Sequence, residues 1–347
     1  MKYRKLGKTD LLISEIGYGT WQIANDPGLW VGADIEESEA CLKEFVARGG
    51  NFIDTAWVYG WNAEFPNKHP SEELIGSFLK KNNLKEKIII ATKIPPKNMK
   101  WPAWKGIPIE EIFPIDHIRK CVDDSLKSLQ LDRIDLMQFH VWQDDFILSN
   151  EWKETLKEIT KQGKVRYWGI SVNDYQPSNC IKALDTGLFS SIQLVFNIFH
   201  QKPIDKIFPY AKKNNIGIIA RVPLDEGGLS GKFSEDTIFA EGDFRGKYFT
   251  KERLKELSIR TDRLSKICKK YNIESIPELA LRFILSYPQI STVIPGMRKM
   301  NHLKSNLSVS EKGSLEDKIL KDLEIESWER NFYPDVDPSL KNSNYLA

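Results

Sequence analysis

Residues 165–196, "VRYWGISVNDYQPSNCIKALDTGLFSSIQLVF", hold one full repeat of the pattern that decides the fold. A β-rich apolar run (165–171) gives way to a helical stretch (177–186), and a second apolar run follows at 191–196. Both runs are apolar nearly throughout, as suits strands covered on both faces. The same unit recurs along the chain. Strand candidates are 15–20, 51–54, 87–93, 134–140, 165–171, 191–196, 217–222 and 291–295. Helix candidates lie near 36–48, 71–82, 115–129, 150–162, 177–186, 204–214, 277–287 and 299–309. Ser71 reads as the N-cap of the second helix, with glutamates in the turn that follows. Eight strands, each followed by a helix, predict a (β/α)8 TIM barrel rather than an open doubly wound sheet. We expect one domain over 1–347, its barrel spanning about 15–310, with a C-terminal helix and tail over 311–347. A hairpin from "YRKLGKTDLLISEI" would cap the barrel bottom.

Three stretches break the rhythm. Residues 95–114, "PPKNMKWPAWKGIPIEEIFP", hold five prolines after the third strand. Residues 223–250 form a long Gly-rich connection after the seventh, and residues 326–347 a polar, aromatic tail without a period. Long connections at the C-terminal face of such a barrel carry specificity, so 95–114 and 326–347 are expected to shape substrate choice.

Composition narrows the function. Of 347 residues, 50 are Lys or Arg and 48 Asp or Glu, a net charge of +2. That balance lacks the concentrated basic face needed for nucleic acid or an anionic membrane. Cys41, Cys121, Cys180 and Cys268 lie far apart at apolar helical positions and read as buried free thiols. The N-terminus lacks a signal-peptide core and no run of about 18 apolar residues occurs, so the chain reads as cytoplasmic. Several motifs are absent. "GYGTWQ" carries Gln22 where a dinucleotide fingerprint needs glycine. "GGLSGKF" lacks the first glycine and the Ser/Thr of a P-loop. The five histidines form no HxH or HExxH pattern, so no metal is expected.

The chemistry lies where strands end. In a (β/α)8 barrel the active site sits at the C-terminal ends of the strands. Asp54 closes the second strand, Lys93 the third and His140 the fourth, and Tyr59 stands in the loop after Asp54. A carboxylate at a buried strand end needs a cation, and Lys93 is the expected partner. The ammonium would then stabilise phenolate and lower the pKa of Tyr59 toward the range of a working general acid. His140 can hydrogen-bond a substrate oxygen. This set suits carbonyl reduction, where oxygen gains charge as hydride arrives and then takes a proton. Trp21, Trp57 and Trp142 follow strands 1, 2 and 4 and are expected to line the substrate pocket.

Over roughly residues 3–310 the chain resembles the aldo-keto reductase family. "DTAWVYG" is similar to the family's Asp-x-x-x-x-Tyr-Gly segment, "IIIATK" to the strand bearing its lysine and "DLMQFHVW" to the strand bearing its histidine. The resemblance implies a catalytic tetrad of Asp54, Tyr59, Lys93 and His140, and NADPH/NADP+ as cofactor. "GKVRYWGIS" and "SIQLVFN" resemble the strands that hold the nicotinamide amide, implying Ser171, Asn173 and Gln193, with Val172 between the first two. In "IIARVPLDEGGLSGK" the resemblance implies Arg221, Pro223, Leu224, Gly231 and Lys232, with Arg221 where an aromatic commonly stacks on the nicotinamide. "VIPGMRKMNHLKSN" resembles the adenosine-phosphate segment and implies Gly296, Arg298 on the 2′-phosphate and Asn306 on the adenine. The substrate is expected to be a small carbonyl compound, with a monomer favoured. Two other roles carry the same resemblance: a nucleotide-sugar keto-reductase whose insert and tail form a second pocket, and a cofactor-binding subunit like potassium-channel β-subunits.

Overall fold

A computed structural model of the chain describes residues 1–24, 30, 32–174 and 176–328. Most of the 326–347 tail therefore lies outside the described residues. The chain opens with an antiparallel hairpin, β1 (Tyr3–Lys5) and β2 (Leu12–Ser14), in register Arg4 to Ile13. Eight parallel strands follow in sequence order: β3 (Tyr18–Gly19), β4 (Phe52–Asp54), β5 (Ile89–Ile94), β6 (Ile134–Phe139), β7 (Val165–Ser171), β8 (Phe189–Val195), β9 (Gly217–Arg221) and β10 (Ile290–Val293). Parallel bridges from Ile16 to Val293 and from Gly19 to Gly296 join the first strand to the last and close the ring. The (β/α)8 barrel expected from the sequence is the fold.

Helices pack against the outside of the barrel. Pro70–Lys81, Ile115–Leu129 and Glu151–Lys161 pack over β4 to β7, and Ile276–Leu285 precedes β10. The core between helices and strands is aromatic and aliphatic; a second, smaller cluster fills the barrel bore. There Leu6, Leu11 and Ile13 from the hairpin meet Phe52, Ala91, Leu136 and Ile219. Successive side chains on a strand alternate faces, so residues two further on point into the same bore. Those residues are Asp54, Lys93, Gln138 and Arg221. An apolar layer at the bottom thus fixes a polar layer above it.

Two expectations need correction. The second helix begins at Pro70, which fits the first helical turn because its missing N–H costs nothing there; His69, not Ser71, occupies the cap position. Ser71 is fully buried and its hydroxyl serves the barrel instead. A 20-residue helix, Lys251–Lys270, was not expected. Its buried positions, Leu254, Leu257, Thr261, Leu264 and Cys268, form a narrow stripe in a strongly charged segment, and Thr250 caps it through Arg253 N. No helix among the described residues is long and apolar enough to cross a membrane. All four cysteines are buried and free.

Helix Pro70–Lys81 lies so close to Ile115–Leu129 that a Cβ on Gly76 would fall 2.4 Å from the Ser128 carbonyl oxygen. The obstacle is backbone and cannot rotate away. Gly76→Ala should therefore destabilise the protein by about 1–3 kcal/mol, read as a lower urea midpoint with unchanged m-value.

Candidate active site

At the top of the bore Lys93 is fully buried, and its ammonium makes three contacts. Lys93 Nζ donates to Asp54 Oδ1 at 2.5 Å, to the Thr55 carbonyl at 2.7 Å and to Tyr59 Oη at 3.3 Å. The Tyr59 ring stands edge-on to His140, with centroids 5.8 Å apart. The four residues predicted from sequence, three at strand ends and Tyr59 in a loop, are thus brought together.

Burial disfavours the charged lysine, but Asp54 and Tyr59 outweigh it and raise the Lys93 pKa. Burial, with the Lys93 and Arg221 cations, holds His140 well below its ordinary 6.5, so the imidazole is neutral. Tyr59 departs from expectation. Burial raises its pKa, the Lys93 charge lowers it and the Asp54 charge raises it, and the sum lies above the ordinary phenol value. Lys93 acts in the expected direction, but desolvation of the phenolate is the larger effect, so the hydroxyl stays protonated.

Further polar groups hold the pair. Asp54 Oδ2 accepts from Gln193 Nε2 at 2.7 Å and from Gln138 Nε2 at 3.4 Å. Gln138 escaped the sequence reading, although it precedes His140 by two and so shares its face. Outside the barrel wall the Ser71 hydroxyl lies 2.9 Å from both Thr55 Oγ1 and Thr20 Oγ1, and Thr20 donates to the Asp54 carbonyl at 3.0 Å. Beside them Glu72, fully buried, accepts from Thr92 Oγ1 at 2.6 Å.

The tetrad opens onto a cavity of about 970 Å³. Asp54, Tyr59, His140 and Trp21 line it, as do Ser171, Asn173 and Gln193 at the ends of β7 and β8. Arg221, Pro223, Leu224 and Lys232 line it from β9 and its connection, and Gly296, Arg298 and Asn306 from the segment after β10. Lys93 lies beneath the wall, and Gly231 does not face the cavity. Gln193 already donates to Asp54, and Arg221 pairs with Asp174 at 2.5 Å. Asn173 turns its amide onto Ala103 of the 95–114 insert, at 3.2 and 3.0 Å. That insert contributes Met99, Trp101 and Pro102 to the same cavity.

Two of the three expected tryptophans are elsewhere. Trp57 buries its ring 4.2 Å from His69 and donates to Asp124, and Trp142 is fully buried among Phe139, Phe146, Trp152 and Phe189. Both follow a strand end, where the chain leaves the alternation and an indole gains more by joining the core between helices. Trp21 does line the cavity, stacked on Tyr59 at 6.0 Å. Trp101 stands edge-on to His140 at 5.6 Å, and Trp328 reaches the cavity with its ring 3.9 Å from the Arg253 guanidinium. Among the described residues no cluster of three or more His, Cys, Asp or Glu could hold a metal.

The model of the Aldo/keto reductase family matches residues 15–325. The chain is 31% identical to aldo-keto reductase YhdN of Bacillus subtilis, a match covering 88% of this chain and 87% of that one. It is 27% identical to the NADH-specific methylglyoxal reductase of Escherichia coli, over 89% and 93%. Its structure superposes on the holo form of aldo-keto reductase AKR11C1 from Bacillus halodurans with a TM-score of 0.71, at 25% identity over 94% and 96% of the chains.

Glu72 gives the site a measurable pH signature. Burial pushes its carboxyl up from 4.5 to about 7, against the Thr92 and Ser125 hydroxyls that lower it. The unfolded chain sheds this proton first, so stability falls as pH rises from about 4.5 to 7 and the loss is complete above. Glu72→Gln should flatten that window and gain on the order of 3 kcal/mol relative to the parent at pH 8. Parallel pH profiles of the urea midpoint would show that Glu72 is not the group responsible.

Proposed function

The chain belongs to the aldo/keto reductase family, and on that premise we propose that it reduces an aldehyde or ketone to the alcohol with NADPH, Tyr59 serving as general acid. The observation that carries this reading is the Lys93 ammonium, held between Asp54 Oδ1 at 2.5 Å and Tyr59 Oη at 3.3 Å, under a cavity that Tyr59 and His140 both face. The nicotinamide, when bound, supplies hydride to the carbonyl carbon. Charge then grows on the carbonyl oxygen, and Tyr59 Oη gives that oxygen its proton. Lys93 stabilises the phenolate left behind, and Asp54 keeps Lys93 in place. His140 Nδ1 is buried without a partner. The neutral imidazole has a ring N–H to offer the carbonyl oxygen.

The cavity residues fit a phosphorylated dinucleotide. Ser171 and Gln193 present a hydroxyl and an amide for the nicotinamide carboxamide, with Arg221, Pro223 and Leu224 beside them. Lys232 and Arg298 supply cations for phosphate, and Gly296 and Asn306 complete the wall and the adenine contact. Arg298 lines the cavity, half-buried near Arg245 and 5.9 Å from the Trp30 ring, and a guanidinium fork there suits a 2′-phosphate.

Tyr59→Phe removes one oxygen and keeps the ring. Carbonyl reduction should fall about 10²–10⁴-fold while NADPH binding persists. Lys93→Met should also slow turnover, yet add little once the hydroxyl is gone. Near-parental reduction by Tyr59→Phe, where chemistry limits the rate, would remove the phenol from the proton-transfer role.

The cofactor preference rests on a different residue and needs its own measurement. NADPH should bind roughly 10- to 150-fold more tightly than NADH, the worth of about 1.5–3 kcal/mol for charge-assisted bonds to the 2′-phosphate. Arg298→Ala should erase most of that ratio in a fluorescence titration. An unchanged ratio would take Arg298 out of 2′-phosphate recognition.

A further inference from the structure

Asn173 was expected to meet the nicotinamide, yet its amide is committed to protein. Its Oδ1 accepts from the Ala103 N–H at 3.2 Å, and its Nδ2 donates to the Ala103 carbonyl at 3.0 Å. One side chain thereby satisfies both backbone groups of Ala103, as a neighbouring strand would. Gln143 adds a second grip, donating to the same carbonyl at 2.8 Å. Gln143 is itself held by Asn179, and Asn179 by Gln176. Ala103, Asn173 and Gln143 are all buried. The connections after β6 and β7 therefore close on one residue of the Pro-rich insert that follows β5.

Elsewhere the insert is tied down at its base. The Lys97 N–H donates to the Ile112 carbonyl, the His117 ring meets the Pro95 carbonyl, and Ile109, Ile112 and Phe113 enter the core. Between base and grip lie Met99, Trp101 and Pro102, which line the cavity, and Trp101 stands edge-on to His140. Buried hydrogen bonds to backbone on both sides of one peptide position fix the chain's path there, and a path fixed at Ala103 fixes Trp101 two residues earlier.

We propose that Asn173 is a positioning residue that fastens the 95–114 insert over the carbonyl end of the cavity, so that Trp101 sets which carbonyl compounds are admitted. The favoured class is flat and apolar, able to lie against Trp101 and Trp21 while its oxygen reaches Tyr59 and His140. This specificity rests on the reductase reading; the fastening of the insert does not.

The test compares the full-length protein with Asn173→Ala and Gln143→Leu in three measurements. Limited trypsin digestion, with cleavage mapped at the exposed Lys100 and Lys105, reads the insert directly. Both variants should be cut there roughly 5- to 50-fold faster, the scale of losing one or two buried hydrogen bonds. NADPH affinity, read by fluorescence, should stay within about twofold, because hydrogen bonds to the insert and not to the cofactor are lost. KM for 4-nitrobenzaldehyde should rise relative to KM for propanal, with kcat nearly retained. Unchanged cleavage in Asn173→Ala overturns the proposal, and a tenfold loss of NADPH affinity confined to that variant would make Asn173 a cofactor ligand. An unchanged ratio of the two KM values overturns the specificity half. If the parent reduces neither aldehyde, the reductase reading fails for this class, and the digestion still decides whether Asn173 holds the insert.

Discussion

An ammonium with no exposed surface, Lys93, is the constraint around which the upper barrel is organised. Taking two charges out of water is costly, and the Lys93–Asp54 attraction offsets it only when the remaining lone pairs and protons are also met. Here they are met from several directions. Thr55 gives its carbonyl and Tyr59 its hydroxyl to Lys93, while Gln193 and Gln138 donate to Asp54. Removing one partner of such a pair typically costs about 3–5 kcal/mol, since the other charge is left buried and uncompensated. Every strand from β4 to β8 except β7 thus places a side chain or carbonyl on this one pair.

The closed barrel makes that convergence affordable. Its strands are hydrogen-bonded on both edges, so their backbone N–H and C=O groups need no water as partner. Phe52, Ala91, Leu136 and Ile219 fill the bottom with the hairpin residues, and the two-residue period then raises Asp54, Lys93, Gln138 and Arg221 to the rim. Short connections between β4, β5 and β6 would leave that rim open. The 95–114 insert instead brings Trp101 beside His140, and the early connection brings Trp21 onto Tyr59. Aromatic rings thereby wall the polar cluster without competing for its hydrogen bonds.

Much of this was legible in the sequence because strand ends are legible. Runs such as "IIIATK" are apolar up to their last two residues, so the charge that closes them stands out, and three such ends, with Tyr59 in the loop after the first, predict one rim. The tryptophans after those ends were not legible. Once the chain leaves a strand, side-chain direction depends on the turn, and Trp57 and Trp142 rotate into the core between helices. Gln138 was hidden for the opposite reason, lying inside an apolar run where a lone amide looks incidental. Ser71 and Glu72 read as an ordinary helix start; only packing against Thr55, Thr20 and Thr92 reveals that they serve the barrel wall. Asn173 shows the same limit at longer range, since its partner lies 70 residues away in an irregular segment.

The raised pKa of Tyr59 bears on the direction of the proposed reaction. Burial favours the neutral phenol more than Lys93 favours the phenolate. Reduction begins from that neutral phenol, and an alkoxide formed beside it is a far stronger base than phenolate, so transfer of the proton is downhill even from a poor acid. Alcohol oxidation begins from the opposite state, requiring phenolate as base in a cavity that disfavours it. The neutral His140 adds to the asymmetry, because it can donate to a carbonyl oxygen without placing a second cation beside Lys93. For the proposed reaction, desolvation of Tyr59 therefore favours giving a proton over accepting one.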